Sequence, residues 1–383
     1  MDFELNEEQT QIRKTAKDFV DREIVPFATE WDRTETMDKS IVGKLAEVGF
    51  LGGPLPDEYG GMGIDNVSYC LIIEELGRSD SSVRGVVSVN VGLVGKTILK
   101  WGTEEQKKEW LPPLCSGEKL GCYGLTEPHS GSDAASLRTK AVRDGDDWIL
   151  TGSKMFITNG TWAGLALIFA RTGEEGARGI TAFLVPTETD GFTANKVTGK
   201  LGLRAQDTGE LVLDGVRVPD ANRLGDEGAG FKVAMSALDS GRMSLAAGSV
   251  GIAQGCLEAS IKYATEREQF QRPIARFQLV QELIADMAVE IEAARLLTWR
   301  VATMADRGEK HTLQSSYAKY FASETAVRAS NAAVQVHGGY GYIDEYPVGK
   351  YLKDARVATL YEGTSQIQKL IIGRHLTGEN AFT

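Results

Sequence analysis

A chain of 383 residues is too long for one small hydrophobic core and is expected to divide into two or three domains. Hydrophobic residues make up 42% and charged residues 25%, the balance of a globular chain rather than a disordered or fibrous one. A formal net charge of -11 argues against a nucleic-acid binder, because neutralising phosphates takes a basic surface, but it is compatible with a local arginine pocket for a small anion.

The start, Met1-Asp2-Phe3-Glu4-Leu5, has no basic n-region and no apolar h-region, so it reads as a natural start without a secretory signal. From Asn6 the pattern is helical, with Leu5, Ile12, Ala16, Phe19, Ile24 and Phe27 recurring on one side and Asn6 with Gln9 resembling a capping box. Pro26 should kink or end this helix. A second amphipathic run, Ile41 to Val48, stops at Gly49, and the glycines and prolines of Gly52 to Gly63 predict loop. Helical spacing returns from Val67 to Lys100, with short interruptions. No apolar run approaches the length needed to span a membrane.

At Gly121 the texture changes to short β-rich runs: Gly121 to Glu127, Leu137 to Val142, Trp148 to Thr151, Leu165 to Arg171, Ile180 to Pro186, Phe192 to Val197 and Glu210 to Val218. Strands at that spacing without intervening helices predict an antiparallel sandwich or barrel rather than a parallel dinucleotide fold. After Gly230 longer helices follow. Phe277, Val280, Ile284, Met287, Ile291, Ala294 and Leu297 mark one, and an alanine- and serine-rich run from Leu313 to Val336 marks another, which together suggest a bundle. The expected fold is therefore α+β and multidomain: a helical domain over residues 1–120, a β domain over 121–225 and a helical bundle over 226–383.

Four cysteines, Cys70, Cys115, Cys122 and Cys256, lack the paired spacing of a zinc site or a disulfide framework and read as reduced thiols in a cytosolic-type compartment. His129, His311, His337 and His375 show no ligand spacing, so no metal is expected. There is no G-x-G-x-x-G at a strand-to-helix junction, no Walker loop and no nucleophile elbow. The loop Tyr123 to Asp133 packs glycines and hydroxyls in a way that suits flat heterocycles and pyrophosphates, and equally a tight β-connection. Near the C-terminus, Tyr361-Glu362-Gly363-Thr364 holds a carboxylate between an aromatic residue and a glycine, ahead of a Thr placed to cap a helix. Such a carboxylate suits a partly desolvated general base; an ordinary acidic turn fits the same residues.

Taken as a set, these stretches resemble the acyl-CoA dehydrogenase family in order and spacing. The set comprises Tyr123 to Asp133, Lys154 to Gly160, Arg267 to Ile274, Gln335 to Tyr342 and Tyr361 to Thr364, with Pro56 to Gly61 and Glu74 to Arg78 at the N-terminal end. The resemblance covers essentially the whole chain. It implies an oxidoreductase of the kind used in fatty-acid β-oxidation, a flavoprotein that removes two hydrogens across the α and β carbons of a short to medium acyl-CoA thioester. By the same resemblance Glu362 takes the α-proton, its backbone N–H polarises the thioester carbonyl, and hydride passes to FAD.

The resemblance places Tyr123, Leu125, Thr126, Phe156 and Thr158 around the isoalloxazine, with Ser132 nearby toward both cofactor and substrate. Arg267, Phe270, Gln278, Gln335 and Gly339 of a second subunit are placed toward the pyrophosphate and adenosine, and Thr364 and Gln366 also toward FAD. Phe231, Met235, Leu238, Asp239 and Arg242 match the CoA-contacting stretch, which is read as a helix opening at Asp239; an apolar helix face with one surface ion pair is the other reading. Gly363 leaves room for the thioester. Isovaleryl- and long-chain-type members carry their base at the position of Gly241, where glycine cannot serve.

Two departures concern cofactor contacts: Phe156 stands where many members have tryptophan, and Gln271 replaces a usual glycine. Arg84 falls where glutaryl-CoA dehydrogenase carries the arginine that binds a distal carboxylate, although Ser365-Gln366-Ile367 follows Thr364 as in short- and medium-chain relatives; an exposed helix-end arginine is the plainer reading. The resemblance further implies an electron-transferring flavoprotein as acceptor, a dimer of dimers, and a cytoplasmic or, with a removed transit peptide, mitochondrial location. An acyl-carrier-protein or glutaryl thioester as substrate, a flavin oxidase or monooxygenase, and a non-catalytic flavoprotein are the alternatives.

Overall fold

The computed structural model describes residues 3–381; Met1 and Asp2, part of the leader reading, and residues 382–383 lie outside them. Asn6 and Gln9 exchange side-chain and backbone hydrogen bonds at 2.8 and 3.1 Å, the expected capping box, and start α1 (Glu7–Glu23). Pro26 sits in the turn before α2 (Ala28–Thr34), and α3 (Ile41–Glu47) ends ahead of Gly49 at φ 74°. Asp65 caps α4 (Asn66–Ser79), and α5 (Ser81–Val87) continues through a π-helical segment, Ser88–Gly95, into α6 (Lys96–Trp101). α7 (Glu104–Cys115) closes this part behind a second capping box, Thr103 with Gln106.

The absence of a span-length apolar run needs correction. Ser81–Trp101 is one helical run long and apolar enough to cross a membrane by length and composition, but 83% of its apolar window is buried inside the protein. Val83, Val86, Val87, Val91 and Val94 are fully covered by neighbouring elements, so the run is a core helix.

The strands are β1 (Gly121–Gly124), β2 (Lys140–Asp144), β3 (Asp147–Thr158), β4 (Leu165–Arg171), β5 (Ile180–Pro186), β6 (Phe192–Lys196), β7 (Thr208–Pro219) and β8 (Arg223–Leu224). They form one eight-stranded sheet in the order β6-β7-β3-β2-β4-β5-β8, with β1 beside β4. Most neighbours are antiparallel, as expected. However, β1 runs parallel to β4 and β2 meets β4 in parallel at Lys140–Arg171, so the sheet is mixed. The cause is the long excursion through β2 and β3, which returns the chain in its original sense. Leu165, Leu167 and Phe169 of β4 pack toward Trp110, Leu111, Val233 and Ala237, while Ala166, Ile168 and Ala170 pack toward Trp148, Leu211, Leu213 and Val216 across the folded sheet. With both faces covered, β4 reads as a continuous apolar run.

The last part contains α8 (Gly230–Glu266), a hairpin of β9 (Glu268–Gln269) and β10 (Arg272–Pro273), α9 (Gln278–Asp306), α10 (Thr312–His337), α11 (Val348–Ala358) and α12 (Ser365–Thr377). Asp239 does not open a helix; it lies inside the 37 residues of α8. Glycines let α4 and α8 cross closely: a Cβ on Gly77 would stand 2.4 Å from the Gly248 carbonyl oxygen, and one on Gly251 2.0 Å from that of Glu74. Ile72, Leu76, Ala246, Val250, Ile291, Ala322 and Ala326 then join α4, α8, α9 and α10 in one core. All four cysteines are buried and unpaired.

Candidate active site

Glu362 stands between α11 and α12 in the left-handed region, φ 54°, followed by Gly363 at φ 86°. Such a conformation is uncommon for a residue with a Cβ and persists only where its surroundings hold it. Here side chains from three helices hold the backbone. The Gly363 carbonyl accepts from Lys319 Nζ at 2.7 Å and from Gln368 Nε2 at 3.1 Å. The Glu362 carbonyl accepts from Gln368 Nε2 at 3.1 Å and from Arg242 Nε at 3.4 Å. Thr364 caps α12 by accepting from the Ile367 amide at 3.2 Å, which is the capping role its sequence position suggests.

The carboxylate occupies the space that a side chain on Gly241 would fill: a Cβ there would lie 2.2 Å from Glu362 Oε2. That oxygen is buried without a hydrogen-bond partner. Burial pushes the Glu362 carboxyl up to about 6, against the pull of Arg84, Lys319 and Arg242. An orphaned, desolvated carboxylate with a raised pKa is equipped to accept a proton near neutral pH. The Glu362 N–H has no acceptor within the described chain.

Arg84 is not an exposed helix-end arginine. It is 3% exposed, donates through Nη2 to the Tyr361 hydroxyl at 2.5 Å and through Nη1 to Ser88 Oγ at 3.4 Å, and leaves its buried Nε without a partner. Gly248 makes room for it, since a Cβ there would stand 2.8 Å from Arg84 Cδ. Arg242 is also buried and pairs with Asp239 at 2.9 Å, so this is no surface ion pair. Phe231, Met235 and Leu238 lie half-buried on the same side of α8 and pack with Tyr123 and Leu125 in one cluster, joining the sheet to the first turns of α8.

On the sheet, Tyr123 donates to the Ala234 carbonyl at 3.1 Å and is tilted against Phe169. Thr126 accepts from the Met155 amide through its carbonyl at 2.9 Å, and Thr158 Oγ1 accepts from Gln206 Nε2 at 3.0 Å. Beneath the loop, Glu127 receives the Arg138 and Thr139 amides and the fully buried Lys154 at 2.8 Å, which fixes the loop's shape. The ladder between β3 and β7 is irregular between Lys154 and Ile157, and there Phe156, at φ 61°, is 64% exposed. Ser132 and Gln366 are exposed.

Arg267, Phe270, Gln278, Gln335 and Gly339 are brought together with none of these. All five are exposed and cluster where α8 ends, α9 begins and α10 ends; Arg267 lies 5.6 Å from the Tyr340 ring centroid and Phe270 is 86% exposed. Among the described residues no hydrogen bond, ion pair or ring contact links them to the Glu362 group. The turn keeps the form that glycine favours: Phe270 and Gln271 both adopt positive φ, 52° and 63°, between the paired residues Gln269 and Arg272, so Gln271 takes a left-handed conformation that glycine would adopt without strain. The donor set fits a flavin dinucleotide. An exposed aromatic ring and the hydroxyls of Thr126 and Thr158 suit a flat polar ring system, and a guanidinium with two amides suits pyrophosphate and adenosine.

Lys319 and Gln368 were not singled out by sequence. For Lys319 a signal exists: it shares the small-residue face of α10 with Ser315, Ser316, Ala322, Ser323 and Ala326, where a long cation is out of place.

Models of the acyl-CoA dehydrogenase N-terminal, middle and C-terminal domains match residues 6–118, 122–216 and 228–377. An acyl-CoA dehydrogenase of Bacillus subtilis is 45% identical over 375 residues, 98% of this chain and 99% of the relative. Among solved structures, butyryl-CoA dehydrogenase from Megasphaera elsdenii superposes with a TM-score of 0.96 at 41% identity, covering 98% of this chain and 100% of that one. Glutaryl-CoA dehydrogenase from Mycobacterium smegmatis does so with 0.94 at 42% identity, covering 99% and 97%. With this fold, this site and matches along the whole chain, the protein belongs to the acyl-CoA dehydrogenase family and is an FAD-dependent oxidoreductase that dehydrogenates acyl-CoA.

Proposed function

We propose that the protein dehydrogenates short to medium acyl-CoA thioesters to the trans-2-enoyl products with Glu362 as the base. The buried Oε2 of Glu362 carries this reading, because it is a desolvated acceptor with no hydrogen-bond donor among the described residues. The Glu362 N–H, free of any acceptor among the described residues, is available to the thioester carbonyl as negative charge develops there. Bound FAD supplies the acceptor for the β-hydrogen, which leaves as hydride. Phe156, Tyr123, Leu125, Thr126, Ser132 and Thr158, with Thr364 and Gln366, would hold the flavin end; Arg267, Phe270, Gln278, Gln335 and Gly339 of a second copy would hold the pyrophosphate and adenosine. Phe231, Met235, Leu238, Asp239, Arg242 and Gly363 would line the thioester path. The butyryl-CoA dehydrogenase neighbour supports a short acyl group. An electron-transferring flavoprotein as acceptor, assembly as a dimer of dimers and a cytoplasmic location belong to the same reading.

A second reading has a specific observation behind it. Arg84 is buried beside Glu362 with no carboxylate partner among the described residues and an unsatisfied Nε, which favours an acyl group ending in a carboxylate or another polar acceptor. Anaerobic reduction of the flavin by a panel from butyryl- to octanoyl-CoA and glutaryl-CoA separates the two readings. Under the first, butyryl- or hexanoyl-CoA bleaches the flavin fastest and Arg84→Met keeps that rate; under the second, glutaryl-CoA does and Arg84→Met abolishes it. In either case Glu362→Gln should bind FAD and ligand and lose about 100- to 10,000-fold in bleaching rate. Bleaching by no thioester, or at wild-type rate in Glu362→Gln, would overturn the proposal.

A further inference from the structure

Lys319 has no part in the chemistry so far, yet its placement is costly. Its side chain is fully buried in the first third of α10, and its ammonium donates to the Gly363 carbonyl at 2.7 Å with no carboxylate within ion-pair reach among the described residues. A lone buried ammonium is unfavourable, and burial accordingly pushes the Lys319 pKa down to about 8, with Glu362 pulling it up and Arg242 opposing. Methionine or leucine would fill the same volume in this alanine-rich helix without that penalty.

The charged and titratable groups facing Glu362 come from every side. Arg84 approaches from α5, Arg242 from α8 and Lys319 from α10, with the phenols of Tyr69, Tyr123 and Tyr361 close by. Asp239 neutralises Arg242, and Glu324, held by Ser365 at 2.5 Å, lies near Lys319. Of the three cations, Arg84 is engaged by Tyr361 and Ser88, and Arg242 by Asp239. Arg242 also reaches the Glu362 carbonyl, at 3.4 Å, but Lys319 makes the shorter bond to the loop backbone, 2.7 Å to the Gly363 carbonyl, and has no side-chain partner of its own among the described residues.

We propose that Lys319 is a positioning residue for the base: its ammonium pins the Gly363 carbonyl, holds the left-handed Glu362–Gly363 turn, and supplies positive charge that stabilises the ionised carboxylate. This rests on Glu362 being the base. The test compares Lys319→Met, Lys319→Gln and Lys319→Arg as FAD-loaded enzymes, with flavin absorbance and thermal melting recorded beside the pH profile of kcat/KM. Loss of the charge in Met and Gln should move the acid limb upward by about 1 pH unit, and Arg should return it toward wild type. Gln, which keeps a donor, should retain more kcat at the pH optimum than Met, which falls about 10- to 100-fold. An acid limb that stays in place in Lys319→Gln with flavin bound overturns the proposal, whether or not Lys319→Met folds. Glu362→Gln run alongside distinguishes the two failures. If it keeps turnover, the base assignment is wrong; if it loses turnover while the Lys319 limb stays put, only the role of Lys319 is wrong.

Discussion

Glu362 reaches its place because Gly241, on a helix far away in sequence, has no side chain. A Cβ there would lie 2.2 Å from Oε2 and 2.7 Å from Leu93 Cδ2, so Gly241→Ala should swing the carboxylate aside. Displacement of about 1 Å at a reacting group costs on the order of 100-fold, and we expect that loss in kcat with FAD content unchanged; wild-type turnover in Gly241→Ala would show that the carboxylate is placed differently. The raised pKa also has a sign for stability. A carboxyl that titrates at about 6 in the folded chain binds its proton more tightly there than when unfolded, so its contribution is full below the unfolded value and is lost as pH rises through about 6. Glu362→Gln should therefore melt above wild type at pH 8, and the difference should shrink below pH 5, as calorimetry across pH would reveal. Glu362 was legible at this scale only through its motif. Its supports were less so: Lys319 stands out on the small-residue face of α10 but nothing there points to Glu362, and Gln368, six residues on in α12, shows no pattern that tells its buried amide from a surface one.

Elements with a clear period or a clear break were readable. The bounds of β4 and β5 coincide with the apolar runs, and α9 follows its three-and-four spacing. The single long helix α8 was not, because from Gly241 to Ala253 every residue is buried and a helix covered all round shows no stripe. α7 was hidden by Pro112 and Pro113 within it, residues that ordinarily signal helix breaks. The parallel pairing of β1 with β4 depends on strands remote in sequence, which turn signals cannot report. The close crossing of α4 and α8 gives a prediction at this scale. Gly251→Ala would put a methyl 2.0 Å from the Glu74 carbonyl and 2.7 Å from the Arg78 nitrogen, both rigid backbone. The helices must separate, and such overpacking costs about 1–3 kcal/mol, a lowered melting temperature that a thermal scan would show; an unchanged melt would mean that the crossing is looser than described.

For the whole molecule, periodicity suggested helices, then strands, then helices, while only the family resemblance divided the residues matched to one cofactor between two subunits, because no local pattern pairs residues that belong to different chains. Glu362 sits against Gly241 in the first part of α8, whereas Arg267, Phe270, Gln278, Gln335 and Gly339 stand exposed where α8 ends, α9 begins and α10 ends. If a second copy completes each site, two inactive variants should complement. Glu362→Gln and Arg267→Glu homo-oligomers should each be inactive, whereas co-expressed chains should regain activity, because one site of a mixed dimer receives Glu362 from one chain and Arg267 from the other. No gain over the separate variants would place both residues in a same-chain site.

The shared volume of Gly241 and Glu362 has a consequence beyond this enzyme's own turnover. Two backbone positions far apart in sequence converge on one pocket just large enough for a single carboxylate, so the acid can be rooted on either segment but not on both. A carboxylate rooted at position 241 would begin 2.2 Å from where the Glu362 oxygen now lies. The position of the buried carboxylate is thus set by the space that two segments share and not by the turn that carries it alone.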